Sequence, residues 1–170
     1  MKTKLLILGC IVCLVALMIL DSCATTPETR RERMALFQSV ESGDYAEVKR
    51  LVEAGANVNA QDRDGYTALM QASGRGHTEI AKLLIEAGAD VNAHDIYVPS
   101  RGGVDYELPP STPLMWASLG GHTEIVKLLI EAGADVNTTD NGGHTALWFA
   151  SIEGYADIVR LLKEAGAKEY

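Results

Sequence analysis

The sequence predicts an all-α solenoid of four helix-turn-helix units, with a β-hairpin inserted between units two and three. Three observations carry this reading. First, the phrase Glu-Ala-Gly-Ala occurs four times, at residues 53–56, 86–89, 131–134 and 164–167. Its glycines are 33, 45 and 33 residues apart, so the middle spacing is one period of 33 with 12 residues added. A period in this range marks stacked units, not one closed globule. Second, residues 76–92 return at 121–137 with a single change, Ala81 to Val126, and looser copies run over 43–59 and 154–167. Third, Ile80, Leu83, Leu84 and Ala87 fall at i, i+3, i+4 and i+7, as do Ile125, Leu128, Leu129 and Ala132. Each second helix therefore carries one apolar stripe. A single helix pair cannot bury that stripe by itself, so neighbouring pairs must stack.

At the amino terminus Lys2 and Lys4 precede an apolar run of 16 residues, 5–20. This is a charged segment followed by an apolar core, somewhat long for a signal sequence and short of the roughly 20 residues of a spanning helix. Leu20-Asp21-Ser22-Cys23 follows, and it resembles the bacterial lipobox. The resemblance implies a signal peptide over 1–22, lipid attachment at Cys23 and, with Ala24 next, sorting to the periplasmic face of the outer membrane. Asp21 departs from the pattern, which places an uncharged small residue there. A cleaved soluble signal and an uncleaved anchor are the alternatives. Acyl chains on Cys23 would hold firmly, since burial is worth about 0.8 kcal/mol per methylene. All three cysteines, Cys10, Cys13 and Cys23, lie in this region. The remainder therefore has no disulfide framework, thiolate zinc site or cysteine nucleophile. Residues 23–33 read as a polar tether ending in Arg30, Arg31, Glu32 and Arg33. That cluster is a solvated helix start, with attraction to anionic head groups as the sharper reading.

The repeats occupy 34–170, divided at about 34–61, 62–94, 95–139 and 140–170. Gly88 and Gly133 stand where a helix end needs positive φ, and Asp90-Val91-Asn92 leads into a turn. Thr67, Thr112 and Thr145 each precede a first helix and carry a capping hydroxyl. Taken together, the Thr-Ala/Pro-Leu triplets at 67, 112 and 145, the Gly-His pairs at 76 and 121, and Gly-Ala-Asp-Val-Asn at 88 and 133 resemble the ankyrin repeat. The histidine of its T-P-L-H signature is replaced by Met70, Met115 and Trp148. Met and Trp are expected to fill the same interior space, without the family's histidine hydrogen-bond network. The first unit has Glu47 and Arg50 where the second has Ile80 and Leu83, while Val48, Leu51 and Val52 supply its inward face. The last has Lys163 where the interior units have Ile85 and Ile130. Polar outward faces are what terminal caps require.

Residues 96–110 are what the period leaves over. Ile96-Tyr97-Val98 and the run 104–108 have strand-like composition around the turn-forming Pro99-Ser100-Arg101-Gly102-Gly103. A projecting hairpin closed by Pro109-Pro110 is expected, and lengthening a loop costs only about 0.6 kcal/mol per doubling.

A formal charge of −8 argues against nucleic acid, whose recognition needs basic stripes. No catalytic triad order, HExxH, phosphate loop or dinucleotide turn appears, so an enzyme is not expected and no cofactor is implied. His77 and His122 open second helices at matched positions and read as structural. The calcium-loop-like run from Asp90 has Arg101 where an acidic residue is required. Asn137-Thr138-Thr139 matches a glycosylation sequon but sits in a turn.

The ankyrin resemblance implies protein binding through loop tips and exposed first-helix positions on the concave side. Carried onto this sequence, those slots hold Gln61, Arg63, Asp64, Tyr66, Arg75, His94, Ser111, Leu119, Thr139, Asn141, His144, Ile152 and Glu153. The insertion adds Tyr97, Arg101 and Tyr106, and Tyr and Arg are favoured at interface hot spots. The expectation is a monomeric, lipid-anchored envelope module that recognises a protein partner. A structural envelope scaffold with weak, nonspecific contacts is the alternative.

Overall fold

The computed structural model describes residues 27–62, 64–95 and 112–168. The chain divides into units Met1–Glu32 and Arg33–Tyr170; the described part of the first is the opening of one helix, and the second holds the repeats. Among the described residues there are eight helices: α1 Pro27–Ser42, α2 Tyr45–Glu53, α3 Ala68–Arg75, α4 Thr78–Glu86, α5 Pro113–Leu119, α6 Thr123–Glu131, α7 Ala146–Ile152 and α8 Ala156–Glu164. They form four pairs in the order expected. None is long and apolar enough to cross a membrane, and the apolar run 5–20 lies outside the described residues. So do Cys23 and the expected hairpin at 96–110. The first helix begins at Pro27, inside the stretch read as a tether; proline suits a first helical position because its φ is preset and its missing N–H would be unpaired there anyway.

Local sequence sets each helix's ends. Thr67, Thr112 and Thr145 accept the backbone N–H of Met70, Met115 and Trp148 and so cap α3, α5 and α7. In the second unit the exchange is reciprocal, because the Thr67 N–H donates to the Met70 sulfur at 3.4 Å. At the other end of each pair, Ala89 N donates to Leu84 O and Ala134 N to Leu129 O, both at 2.9 Å. This closure requires left-handed backbone at Gly88 and Gly133, whose φ values are +85° and +89°.

Packing runs in two layers. The first helices α3, α5 and α7 lie side by side, as do the second helices α2, α4, α6 and α8. Small residues let the first helices approach closely: Ala72, Ser73, Ala117, Ser118 and Ala150 are fully buried. One continuous apolar core extends from Leu36 and Val40 through Leu84 and Leu129 to Ile158 and Leu162. Each fully buried leucine contributes about 1.5–3 kcal/mol, so stability accumulates along the stack.

Three contacts register one unit on the next. The His77 ring lies on Gly43, the His122 ring on Gly76 and the Tyr155 ring on Gly121, each so close that a Cβ on the glycine would meet the ring at 2.9 Å or less. His122 also donates Nε2–H to Gly74 O at 3.2 Å. The structural role expected for the paired histidines is thus complete at His122, while His77 Nε2 has no hydrogen-bond partner.

The ends of the stack differ. At the first, Glu47 and Arg50 pair with each other at 2.6 Å on an exposed surface, in keeping with a polar cap. At the last, the expectation for Trp148 needs correcting. Met70 and Met115 are 1% exposed, but Trp148, in the same slot, is 41% exposed, beside Ile152 at 55%. The reason is position: among the described residues no helix packs beyond α7 and α8 to cover it.

Candidate partner-binding surface

The loop tips that precede the first helices are braced by aspartates. Asp62 Oδ1 accepts N–H groups from Asp64 and Tyr66, both at 2.9 Å, and Asp62 N donates to Tyr66 O. Gln61 and Thr67 form an antiparallel bridge that closes the same tip. Asp140 repeats the device, accepting from Gly142 N at 2.8 Å and His144 N at 2.7 Å. It adds a contact from His144 Nδ1 to its buried Oδ2 at 3.1 Å. Asp95 stands at the corresponding place in the interrupted unit, immediately before the insertion.

Asparagines bridge the opposite turns. Asn59 donates to Gly88 O and accepts from Asp90 N, Asn92 does the same with Gly133 O and Asp135 N, and Asn137 with Gly166 O and Lys168 N. Both ends of each side-chain amide are used between units. Reading Asp90-Val91-Asn92 as a turn was correct but missed this ladder. Asn137, the sequon residue, is one of its rungs.

Of the residues expected to meet a partner, Tyr66 and Arg75 come together. Both line a pocket of about 330 Å³ with Phe37, Asp62, Met70, Gln71, Gly74 and Trp116. Tyr66 meets Trp116 edge-on at 5.7 Å. The Trp116 indole lies against α3, where a Cβ on Gly74 would be 3.1 Å from its Cε3. Burial first, and then the carboxylates of Asp95, Asp64 and Asp62, hold the Tyr66 hydroxyl above its usual pKa. At the pocket's edge Arg75 pairs with Glu41 of the first unit at 2.7 Å, an exposed bridge worth about 0–1 kcal/mol. Arg33 Nη1 donates to Gln61 O at 3.2 Å.

The other expected positions spread along the stack. Asp64 and Asn141 are exposed at the loop tips and Ile152 at the end of α7. His94 is exposed too, and its carbonyl accepts from Gln61 Nε2 at 2.9 Å. Leu119 is only partly available because it packs against the core. His144 is committed to Asp140 and stacks on Trp148 with ring centroids 3.8 Å apart, and Phe149 meets both rings edge-on. Arg63, Tyr97, Arg101 and Tyr106 lie outside the described residues. Among the described residues no group of three or more His, Cys, Asp or Glu is placed to hold a metal.

Sequence reasoning missed Gln71 and Trp116. The signal was available, since both occupy one first-helix slot, directly after Met70 and Met115. Where a repeat otherwise copies itself closely, a slot holding Gln in one unit and Trp in the next, both partly exposed, is not fixed by packing alone.

Paired helices in two layers, tied by turn-to-turn asparagines and ending in braced loop tips, define a helical repeat protein whose free surface is its rim. A family model described as ankyrin repeats (3 copies) matches residues 6–95 and 101–169. The chain belongs to the ankyrin repeat family, whose members are typically non-catalytic binding modules. No curated protein matches it.

Proposed function

We propose that this ankyrin repeat protein is a monomeric module of the bacterial envelope, anchored by lipid on Cys23 at the periplasmic face of the outer membrane. It holds one protein partner through its loop tips, first helices and the 96–110 insertion. The observation that carries the recognition is the union of rigid and variable parts on one side of the stack. Aspartate-braced tips fix where Asp64, Tyr66, Asn141 and His144 stand. The adjoining first helices offer unlike side chains, Gln71 and Trp116, around a ready-made pocket. A surface held in place before binding loses little ordering entropy when it binds. Support for the anchor is the segment Lys2 to Cys23 alone.

Crosslinking in intact cells, with and without residues 96–110, tests the recognition. A small set of adducts that disappears on deletion is expected. A diffuse pattern indifferent to the deletion would favour a nonspecific scaffold instead. For the anchor, Cys23→Ala should release or mislocalise the protein, whereas a purely membrane-spanning segment would leave the variant fractionating with membranes as before.

A further inference from the structure

Three half-buried aromatic side chains, Phe37, Tyr66 and Trp116, line the pocket beside the carboxylate of Asp62. They come from three successive units, so the cavity exists only in the stack. Its charge is one-sided. No salt bridge among the described residues engages Asp62 or Asp64, and the loop-tip brace uses Asp62 through Oδ1 alone. Arg75, the cation on the pocket wall, is already offset by Glu41 at 2.7 Å. Arg63, between the two aspartates in sequence, lies outside the described residues. The negative field reaches the aromatic wall, since after burial it is the carboxylates of Asp95, Asp64 and Asp62 that hold the Tyr66 hydroxyl above its usual pKa. Aromatic rings attract a cation through their quadrupole, by about 0.5–2 kcal/mol, and a neighbouring carboxylate adds charge of the right sign. Because most of the lining is apolar, a cation that gives up its water readily is favoured, and a guanidinium is more weakly hydrated than an ammonium and stacks on aromatic planes. At about 330 Å³ the pocket lies at the small end of the roughly 300–1,000 Å³ typical of ligand sites. That suits one anchoring side chain better than a large cofactor. A formal charge of −8 also draws basic segments toward the chain from a distance.

We propose that this pocket takes the guanidinium of an arginine side chain of the protein partner, stacked against the aromatic wall and held by Asp62, with Asp64 adding attraction from the loop tip. The assignment rests on the protein-binding reading above and specifies the chemistry at its centre.

The chain has two tryptophans, so Trp148 serves as an internal reference for Trp116 in a nitrogen–proton correlation spectrum of the full chain. The probe is Nα-acetyl-arginine N-methylamide, compared with the matching citrulline amide, in which a neutral urea replaces the guanidinium, and with the matching lysine amide. The arginine amide should shift the Trp116 indole signal saturably and leave Trp148 in place. The citrulline amide should bind about tenfold or more weakly, the scale of a hydrogen bond to a carboxylate whose donor loses its charge. The brace uses the backbone N–H of Asp64 and not its carboxylate. Asp64→Asn should therefore leave the fold and the citrulline amide unaffected and weaken the arginine amide by about two- to fivefold. Asp62→Asn keeps an oxygen for the brace and should weaken the arginine amide further, while the comparison of probes on the unaltered protein stands whether or not either variant folds. Absence of a saturable Trp116 shift, equal movement of both indoles, citrulline binding as tight as arginine, or tighter binding of the lysine amide would each overturn the assignment. If the probes fail while the cellular adducts still depend on residues 96–110, the partner binds elsewhere on the rim and the protein-binding reading survives. If the arginine amide binds as described but the adducts ignore the deletion, the pocket is real and that reading fails.

Discussion

The second and third units and the fourth start from nearly the same residues and end in different situations. In the interior, Met70 and Met115 vanish between first helices, and His122 ties its own unit to Gly74 of the one before. In the last unit the matching slots hold Trp148, which is well exposed, and Tyr155, which covers Gly121 by ring contact. A repeat thus specifies a helix pair, while its place in the stack determines which side chains are buried. The exposure of Trp148, stacked on His144 and edge-on to the buried Phe149, is the consequence of having no described neighbour beyond α7 and α8.

This contrast can be broken most directly by truncating matched side chains. Met115→Ala should cost about 2–5 kcal/mol, as for other fully buried large-to-small changes, whereas Trp148→Ala, although it deletes a larger side chain, should cost less. Urea unfolding of the two variants decides it, and a greater loss at Trp148 would mean that the last unit's open face is covered in solution.

A smaller effect is expected at the glycines. Gly133→Ala meets nothing within 4 Å and suffers only the strain of φ +89°, about 1–2 kcal/mol. Gly121→Ala has comparable strain at φ +74°, and its Cβ would also stand 2.7 Å from Tyr155 Cζ. It should therefore lower the melting temperature further than Gly133→Ala. Adding Tyr155→Ala should bring the Gly121 penalty down toward that of Gly133, a non-additivity that appears only for residues in contact.

The asparagine ladder supplies the smallest effect. Asn92→Ala removes two exposed bonds between interior units, and at a net ~0.5–1.5 kcal/mol per bond the loss should be about 1–2 kcal/mol, partly recovered by water. Asn137→Ala breaks the equivalent bonds to the turn after α8, which no further described helix pair covers, so local opening there is expected to be easier from the start. Hydrogen exchange at Asp135 and Lys168 should rise in the respective variants, and more steeply above the background at Asp135.

Much of the architecture was legible because it is written in local, repeated signals. The period of 33, the stripes at Ile80 and Ile125, the threonine caps and the positive-φ glycines each act within one unit. Their meaning does not depend on what lies across the stack. Trp148 was misjudged for the opposite reason. Its slot is interior only if another unit follows, and slot identity says nothing about neighbours. His144 looked like a free loop residue because the partner that claims it, Asp140, is four residues away through a folded tip. Arg75 and Glu41 lie in different units and find each other only by stacking.

The sequence by itself determined that there would be four helix pairs, what caps those of the later units, and which face of each second helix is greasy, since hydrogen-bond closure and side-chain periodicity are properties of short stretches. It did not place the start of the first helix, which begins at Pro27. Only the tertiary structure decided that Phe37, Tyr66, Gln71 and Trp116, drawn from three separate units, line one pocket, and that Gln71 Oε1 and Trp116 Nε1 are buried without a partner. Whether a polar atom is satisfied depends on every group that packing brings within reach, and no single repeat contains that information.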